Sequence, residues 1–166
     1  MRQNYKKTLA AMALGVSVLG LTACGSTATT ADEITYDQSY LQSVADFLVT
    51  NWDGMTDEQI DTYATMDAED AQDLLDGYSL PFTPEAFTTA FSGYEGNEEE
   101  LGAYVSTDGY EVSVDKDEIT LVTHMTYENR TADLSIVFNK KSVAQSVTLD
   151  PNYSLGEILE KALMNT

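Results

Sequence analysis

Residues 110–149 read YEVSVDKDEITLVTHMTYENRTADLSIVFNKKSVAQSVTL. Apolar and polar residues alternate through most of this stretch, which is the period of a half-buried strand rather than of a helix. Tyr110, Val112 and Val114 fall on one face. After a DKDE turn, Ile119, Leu121 and Met125 share a face opposite Thr120, His124 and Thr126. Beyond ENR, Leu134, Ile136 and Phe138 alternate, and beyond NKKS, Val143, Val147 and Leu149 take one face again. Four strands joined by short turns predict an antiparallel meander, with a shorter pairing strand expected near Tyr104. One face of such a sheet is apolar and the other mostly polar, so only one side needs a cover.

The cover is encoded upstream. From Tyr36 to about Asn51 the residues Tyr40, Leu41, Val44, Phe47 and Leu48 recur at helical spacing, predicting an amphipathic helix. Thr56 with Gln59 has the spacing of a capping box for a short helix through Ile60 and Tyr63. A second short helix is expected from Glu69 to Leu75, ending at Gly77. In PFTPEAFTTAFSGY, residues 81–94, Thr83 is placed to cap a helix with Pro84 at its first position. Phe87 and Phe91 lie four apart on one side of it, and Gly93 is expected to close it. The fold class that follows is α+β: N-terminal helices packed on one face of a four-stranded antiparallel meander, in the manner of cystatin or NTF2-like domains.

The amino terminus has a different character. Arg2, Lys6 and Lys7 precede an uncharged run from Thr8 to Ala23, which has the basic and apolar regions of a secretory signal and is short for a membrane span. The stretch Leu21-Thr22-Ala23-Cys24 resembles a bacterial lipobox. That resemblance implies that the Cys24 thiol receives a diacylglyceryl group and that the chain is cut before it, placing the protein on the extracytoplasmic face of a cell membrane, anchored in lipid. The expected plan is a signal peptide over 1–23, a lipidated cysteine and flexible linker over 24–35, a domain over 36–153 and a terminal helix over 154–166. Cys24 is the sole cysteine, which excludes an intrachain disulfide and a multi-thiolate metal site. The chain has 28 acidic and 8 basic residues, a net charge of −20, and three of those bases lie before Thr8. A field of that sign opposes nucleic acid.

Few residues point to chemistry. His124, the single histidine, falls on the polar sheet face and reads as a surface histidine, with no second histidine to complete a metal pair. In DAEDAQDLLDG the carboxylates Asp67, Glu69, Asp70, Asp73 and Asp76 are dense, yet neither this run nor NWDGMTDE has the D-x-[DN]-x-[DN]-G spacing of a calcium loop. A solvated helix face is expected there. Asp115, Asp117 and Glu118 read as a hairpin turn, and the NRT at Asn129 as an incidental sequon. No Gly-rich phosphate loop occurs, and no serine is paired with a base. The expectation is a protein that is not an enzyme and needs no cofactor; the tyrosines read first as core and surface packing, with an exposed subset as the alternative lining of a groove beneath the helices.

The last stretch, DPNYSLGEILEKALMNT, carries a family resemblance. Tyr153, Ser154, Leu155, Gly156, Glu157, Leu159, Lys161, Ala162, Asn165 and Thr166 fit a Y-[ST]-[LF]-G-E-x-[ML]-x-K-A-x-x-N-T pattern. It is similar to the extracytoplasmic portion of a Gram-positive group within the oxaloacetate decarboxylase gamma chain (OadG-like) family, linked with sodium-pumping decarboxylases. In that group a lipobox and a helix-then-meander domain precede a membrane helix. The resemblance implies a noncatalytic accessory subunit that serves assembly or stability beside the membrane subunits of a sodium-pump decarboxylase. No apolar run of membrane length follows the signal in this sequence, which departs from the family pattern. The alternative is a free-standing surface lipoprotein that binds a small ligand or a cell-wall component. The two readings assign the apolar positions Leu155, Ile158, Leu159, Ala162 and Leu163 different fates: the outer end of a membrane span, or a stripe packed on the sheet.

Overall fold

The computed structural model describes residues 28–31 and 34–165. Two short strands, β1 (Ala28–Ala31) and β2 (Ile34–Asp37), form an antiparallel hairpin with Ala28 opposite Asp37. Four helices follow: α1 (Gln38–Gly54), α2 (Asp57–Ala64), α3 (Ala68–Tyr78) and α4 (Pro84–Leu101). Four long strands then run β3 (Tyr104–Asp115), β4 (Glu118–Tyr127), β5 (Thr131–Phe138) and β6 (Ala144–Pro151), and α5 (Leu155–Met164) ends the described chain. The sheet order is β3-β4-β5-β6 with every pair antiparallel. This is the expected α+β meander with its helices on one side.

Alternation places the core. Ile119, Leu121, Met125 and Tyr127 of β4 and Ala132, Leu134, Ile136 and Phe138 of β5 are buried against the helices, while Thr120, His124 and Thr126 look the other way. The helices answer with aromatic rings. Phe87 and Phe91 of α4 are fully buried against Tyr63 of α2, the first edge-on at a centroid distance of 5.9 Å and the second tilted at 5.1 Å. Trp52 of α1 lies parallel to Tyr94 of α4 at 5.0 Å and edge-on to Phe91. Each fully buried Phe stabilises such a core by roughly 1.5–3 kcal/mol through area removed from water alone.

Local chemistry explains most element ends. The Thr56 hydroxyl accepts from Gln59 N–H while the Gln59 side chain accepts from Thr56 N–H, the reciprocal capping box foreseen from spacing. Thr83 accepts from Ala86 N–H with Pro84 in the first turn. The DKDE turn is a two-residue hairpin in which Lys116 adopts φ +56°, the twist that suits the flanking strands.

Several expectations need correction. Tyr36 does not open α1: it sits in β2, buried with Ile34, and Asp37 caps the helix by accepting from Tyr40 N–H. The stretch expected as a flexible linker therefore contains a paired hairpin, because Ile34 and Tyr36 alternate around Thr35 and have a core to enter. Gly77 does not end α3, which runs one residue further and turns off at Ser79 with φ +53°. Gly93 does not close α4 either. That helix continues through Gly93 and Gly96 to Leu101, whose full burial draws the last turns in, and Gly102 ends it at φ +76°. A Cβ on Gly102 would come within 2.9 Å of the Asn129 side chain, so glycine is required twice over there. The short strand expected near Tyr104 is the start of β3 itself, joined to it through two irregularities of register between Tyr104 and Gly109. In β6 a register shift opposite Phe138 puts Ala144, not Val143, in the core row.

Candidate functional site

Among the described residues, three places bring functional side chains together, and the C-terminal motif makes the first. Ser154 and Glu157 form a second reciprocal capping box at the start of α5. Glu157 also accepts from Arg130 Nη2 at 2.9 Å, and Arg130 Nη1 donates to the Asn152 carbonyl at 3.1 Å. The Tyr153 hydroxyl donates to Glu100 Oε2 at 2.9 Å, and that same carboxylate lies 3.5 Å from Arg130 and 3.8 Å from Lys161. Both cations stand over the Tyr153 ring, Lys161 Nζ at 3.9 Å from its centroid and Arg130 Cζ at 4.6 Å. Hydrogen bonds from the Ser154 backbone and then from Arg130 hold the Glu157 carboxyl down to about 2.

This cluster explains why Tyr153, Glu157 and Lys161 occur together. They clamp the base of α5 to the end of α4, through Glu100, and to the β4–β5 turn, through Arg130. Sequence reading missed Glu100 and Arg130, which lie 53 and 23 positions before Tyr153, and no local spacing announces them. Gly156 has no such steric reason, since an added Cβ there would meet only Ser154 Oγ at 3.9 Å. Asn165 caps the helix end through its backbone N–H to the Lys161 carbonyl. The lipobox residues Leu21, Thr22, Ala23 and Cys24, and Thr166, lie outside the described residues.

Past its clamped base, α5 touches little. Leu155, Ile158, Leu159 and Leu163 are 51–77% exposed, and the helix buries none of its residues. The apolar stripe is therefore not packed on the sheet. Among the described residues no helix is long and apolar enough to cross a membrane.

The second place is the open sheet face. His124 Nδ1 lies 2.7 Å from Asp133 Oδ1 on β5, and Nε2 lies 2.9 Å from Glu111 Oε2 on β3. A doubly protonated imidazole satisfies both carboxylates, and those two hydrogen bonds raise its pKa above the ordinary 6.5. Register makes the arrangement: Asp133 is directly opposite His124, and Glu111 sits two residues along from its other neighbour, Gly109. Thr126 and Ser106 beside it both donate to Asp108. With both ring nitrogens engaged by carboxylates and the side chain 41% exposed, this is a surface ion-pair cluster of the kind expected for a surface histidine. Among the described residues no group of histidine and carboxylate side chains has the geometry of a metal site. The acidic run on α3 is solvated as expected, with Asp67 accepting from Asp70 N–H as its cap.

The third is a groove of about 680 Å³ between α1 and β3. Asp46, Val49 and Asp53 present one face of α1 to it, and Tyr104, Thr107 and Tyr110 form the opposite wall. The Tyr110 hydroxyl donates to Asp46 Oδ1, and the Tyr104 and Thr107 hydroxyls pair at 2.7 Å. Burial, followed by the hydrogen bond to Asp46 and its charge, pushes the Tyr110 phenol well above the ordinary tyrosine range, so it stays a donor.

Compared with known families, curated proteins and solved structures, the chain matches none.

Proposed function

We propose that the protein is a noncatalytic, membrane-anchored accessory subunit resembling the gamma chain of sodium-pumping decarboxylases, with its acidic domain outside the membrane. The observation that supports this reading is α5: its base is fixed by five side chains while Ile158, Leu159 and Leu163 are left exposed. Exposed apolar stripes rimmed by polar residues mark contact surfaces, and a helix held rigidly at one end presents such a stripe in a defined direction. In this reading α5 leads toward the membrane subunit, Cys24 carries lipid, and the decarboxylation chemistry belongs to other chains. The domain contributes assembly and stability.

The test is co-purification of the full chain from membranes in mild detergent. A membrane-embedded decarboxylase subunit is expected with the wild type and lost with Leu159→Glu, which alters no buried contact. Recovery of the wild type as a lone species would count against the proposal. A second reading, a lipid-anchored surface protein that binds a small ligand, draws its support from the open groove between α1 and β3.

A further inference from the structure

We infer that the groove between α1 and β3 binds an elongated organic cation of the linear polyamine class, held at two points by Asp46 and Asp53. The inference rests on the binding reading of that groove and not on the assembly reading. The groove shares no residue with α5 or with its base.

Volume, charge and spacing agree on this ligand class. A space of about 680 Å³ is within the range of small-molecule sites. Its two charged lining residues are both carboxylates, and the five cations beyond Lys7 are elsewhere: Lys116, Lys140 and Lys141 in hairpin turns, Arg130 and Lys161 at the base of α5. Negative charge continues past the groove, since Asp57 and Glu98 as well as Asp53 raise the pKa of Tyr94 after its own burial does. A cation entering here meets no competing lysine or arginine, and gains charge-assisted hydrogen bonds to Asp53 and to the Asp46 carboxylate that Tyr110 already holds.

Spacing narrows the class. Asp46 and Asp53 are seven residues apart on one face of a regular helix, which puts their Cα atoms roughly 10 Å apart along the axis. One ammonium cannot pair with both, whereas a linear triamine can place a terminal nitrogen at each. Tyr104 and Tyr110 line the wall between strand and helix, giving aromatic surface for a methylene chain and for its positive centres. The Tyr110 hydroxyl, donating to Asp46, fixes one carboxylate in place, while the Asp53 side chain forms no hydrogen bond or ion pair among the described residues.

Isothermal titration of the full chain in detergent with spermidine, at about physiological ionic strength to screen the general acidic field, tests the inference. Saturable binding at one site is expected. It should weaken at least tenfold in Asp46→Asn and in Asp53→Asn, and stay unchanged in Asp73→Asn, which removes the same charge from the exposed face of α3. 1,3-Diaminopropane, too short to reach both carboxylates, is expected to bind at least tenfold more weakly than spermidine. Circular dichroism identifies any variant that fails to fold, and the short diamine tests the same point on the wild-type chain. Absence of saturable spermidine binding, equal weakening in Asp73→Asn, or equal affinity for the two amines would overturn the inference. Loss of spermidine binding with co-purification intact would leave the assembly reading standing, and the reverse result would leave this one.

Discussion

Helices α4 and α5 are both amphipathic, and both begin with a hydroxyl cap followed within three residues by an acid. Their apolar stripes nevertheless meet opposite fates. On α4, Ala86, Phe87, Ala90 and Phe91 are at most 2% exposed, sealed between α2, α3 and the sheet. On α5, whose polar and apolar sides are more sharply segregated, Leu155, Ile158 and Leu159 stay more than half exposed. The difference teaches that periodicity specifies that a helix has a face to cover, not what covers it. What decides is whether the chain supplies a matching surface within reach. The sheet's apolar face is already filled by α1 and α4, and its other face carries Glu111, His124, Asp133 and Asp150, which offer nothing to leucines.

The sharpest way to break this comparison is to truncate a residue in each stripe. Phe91→Ala is expected to cost about 3–5 kcal/mol, through lost burial and the cavity left among Tyr63, Phe87 and Trp52. Leu159→Ala is expected to change stability by no more than about 0.5 kcal/mol. Urea unfolding of the isolated full chain measures both. A large loss in Leu159→Ala would mean that α5 packs on this chain after all.

A smaller effect sharpens the account of how α5 is held. The Glu157 carboxyl is depressed to about 2 in the native state, against 4.5 ordinarily. A depressed carboxyl stabilises the native state above its unfolded pKa, so the anchoring of α5 is complete above pH 4.5 and is lost as pH falls through about 2. A carboxyl-carbon NMR titration is expected to place the Glu157 midpoint far below those of solvated glutamates. In Arg130→Gln that midpoint should move up part of the way, because the Ser154 backbone N–H remains. An unmoved midpoint would remove Arg130 from the clamp.

The smallest effect concerns the sheet's own two faces. The native pKa of His124 is raised, so its contribution to stability is whole below the ordinary 6.5 and disappears as pH rises through the raised native value. Because the side chains involved are substantially exposed, the increment is under about 1 kcal/mol. The stability difference between wild type and His124→Gln should shrink from acid toward alkaline pH. A difference that grows instead would mean that the imidazole is held neutral.

The fold was legible because burial and period coincide. Ile119, Leu121, Met125, Leu134, Ile136 and Phe138 each take the face that alternation assigns, and Thr56, Gln59, Thr83 and Pro84 act at the positions their spacing announces. Misreadings fell where tertiary packing overrides a local signal. Gly93 sits in a helix that Leu101 holds together, and the identity of Ala144 as a core residue depends on a register shift across β5 and β6. The sites were less legible for a related reason. His124 was readable as a surface residue, but its carboxylates come from two other strands. The residues of the C-terminal motif stood out as a run, whereas Glu100 and Arg130, which give them a purpose, are distant in the chain. The groove joins a helix face near residue 50 to the edge strand, a pairing that no pattern within either segment encodes.

The hairpin at the start of the described chain alters the geometry of any tether. Because β1 pairs back along β2 until Ala28 lies opposite Asp37, the polypeptide rejoins the body at Ala28. Only four residues' worth of chain separates that point from Cys24, roughly 14 Å at full extension, where an unpaired tether as far as Asp32 would reach about twice as far. With a lipid on Cys24, the domain would have a leash shorter than its two longest helices, α1 and α4. It could tilt against the membrane surface but not swing away from it, and its acidic surface would stay close to the headgroups.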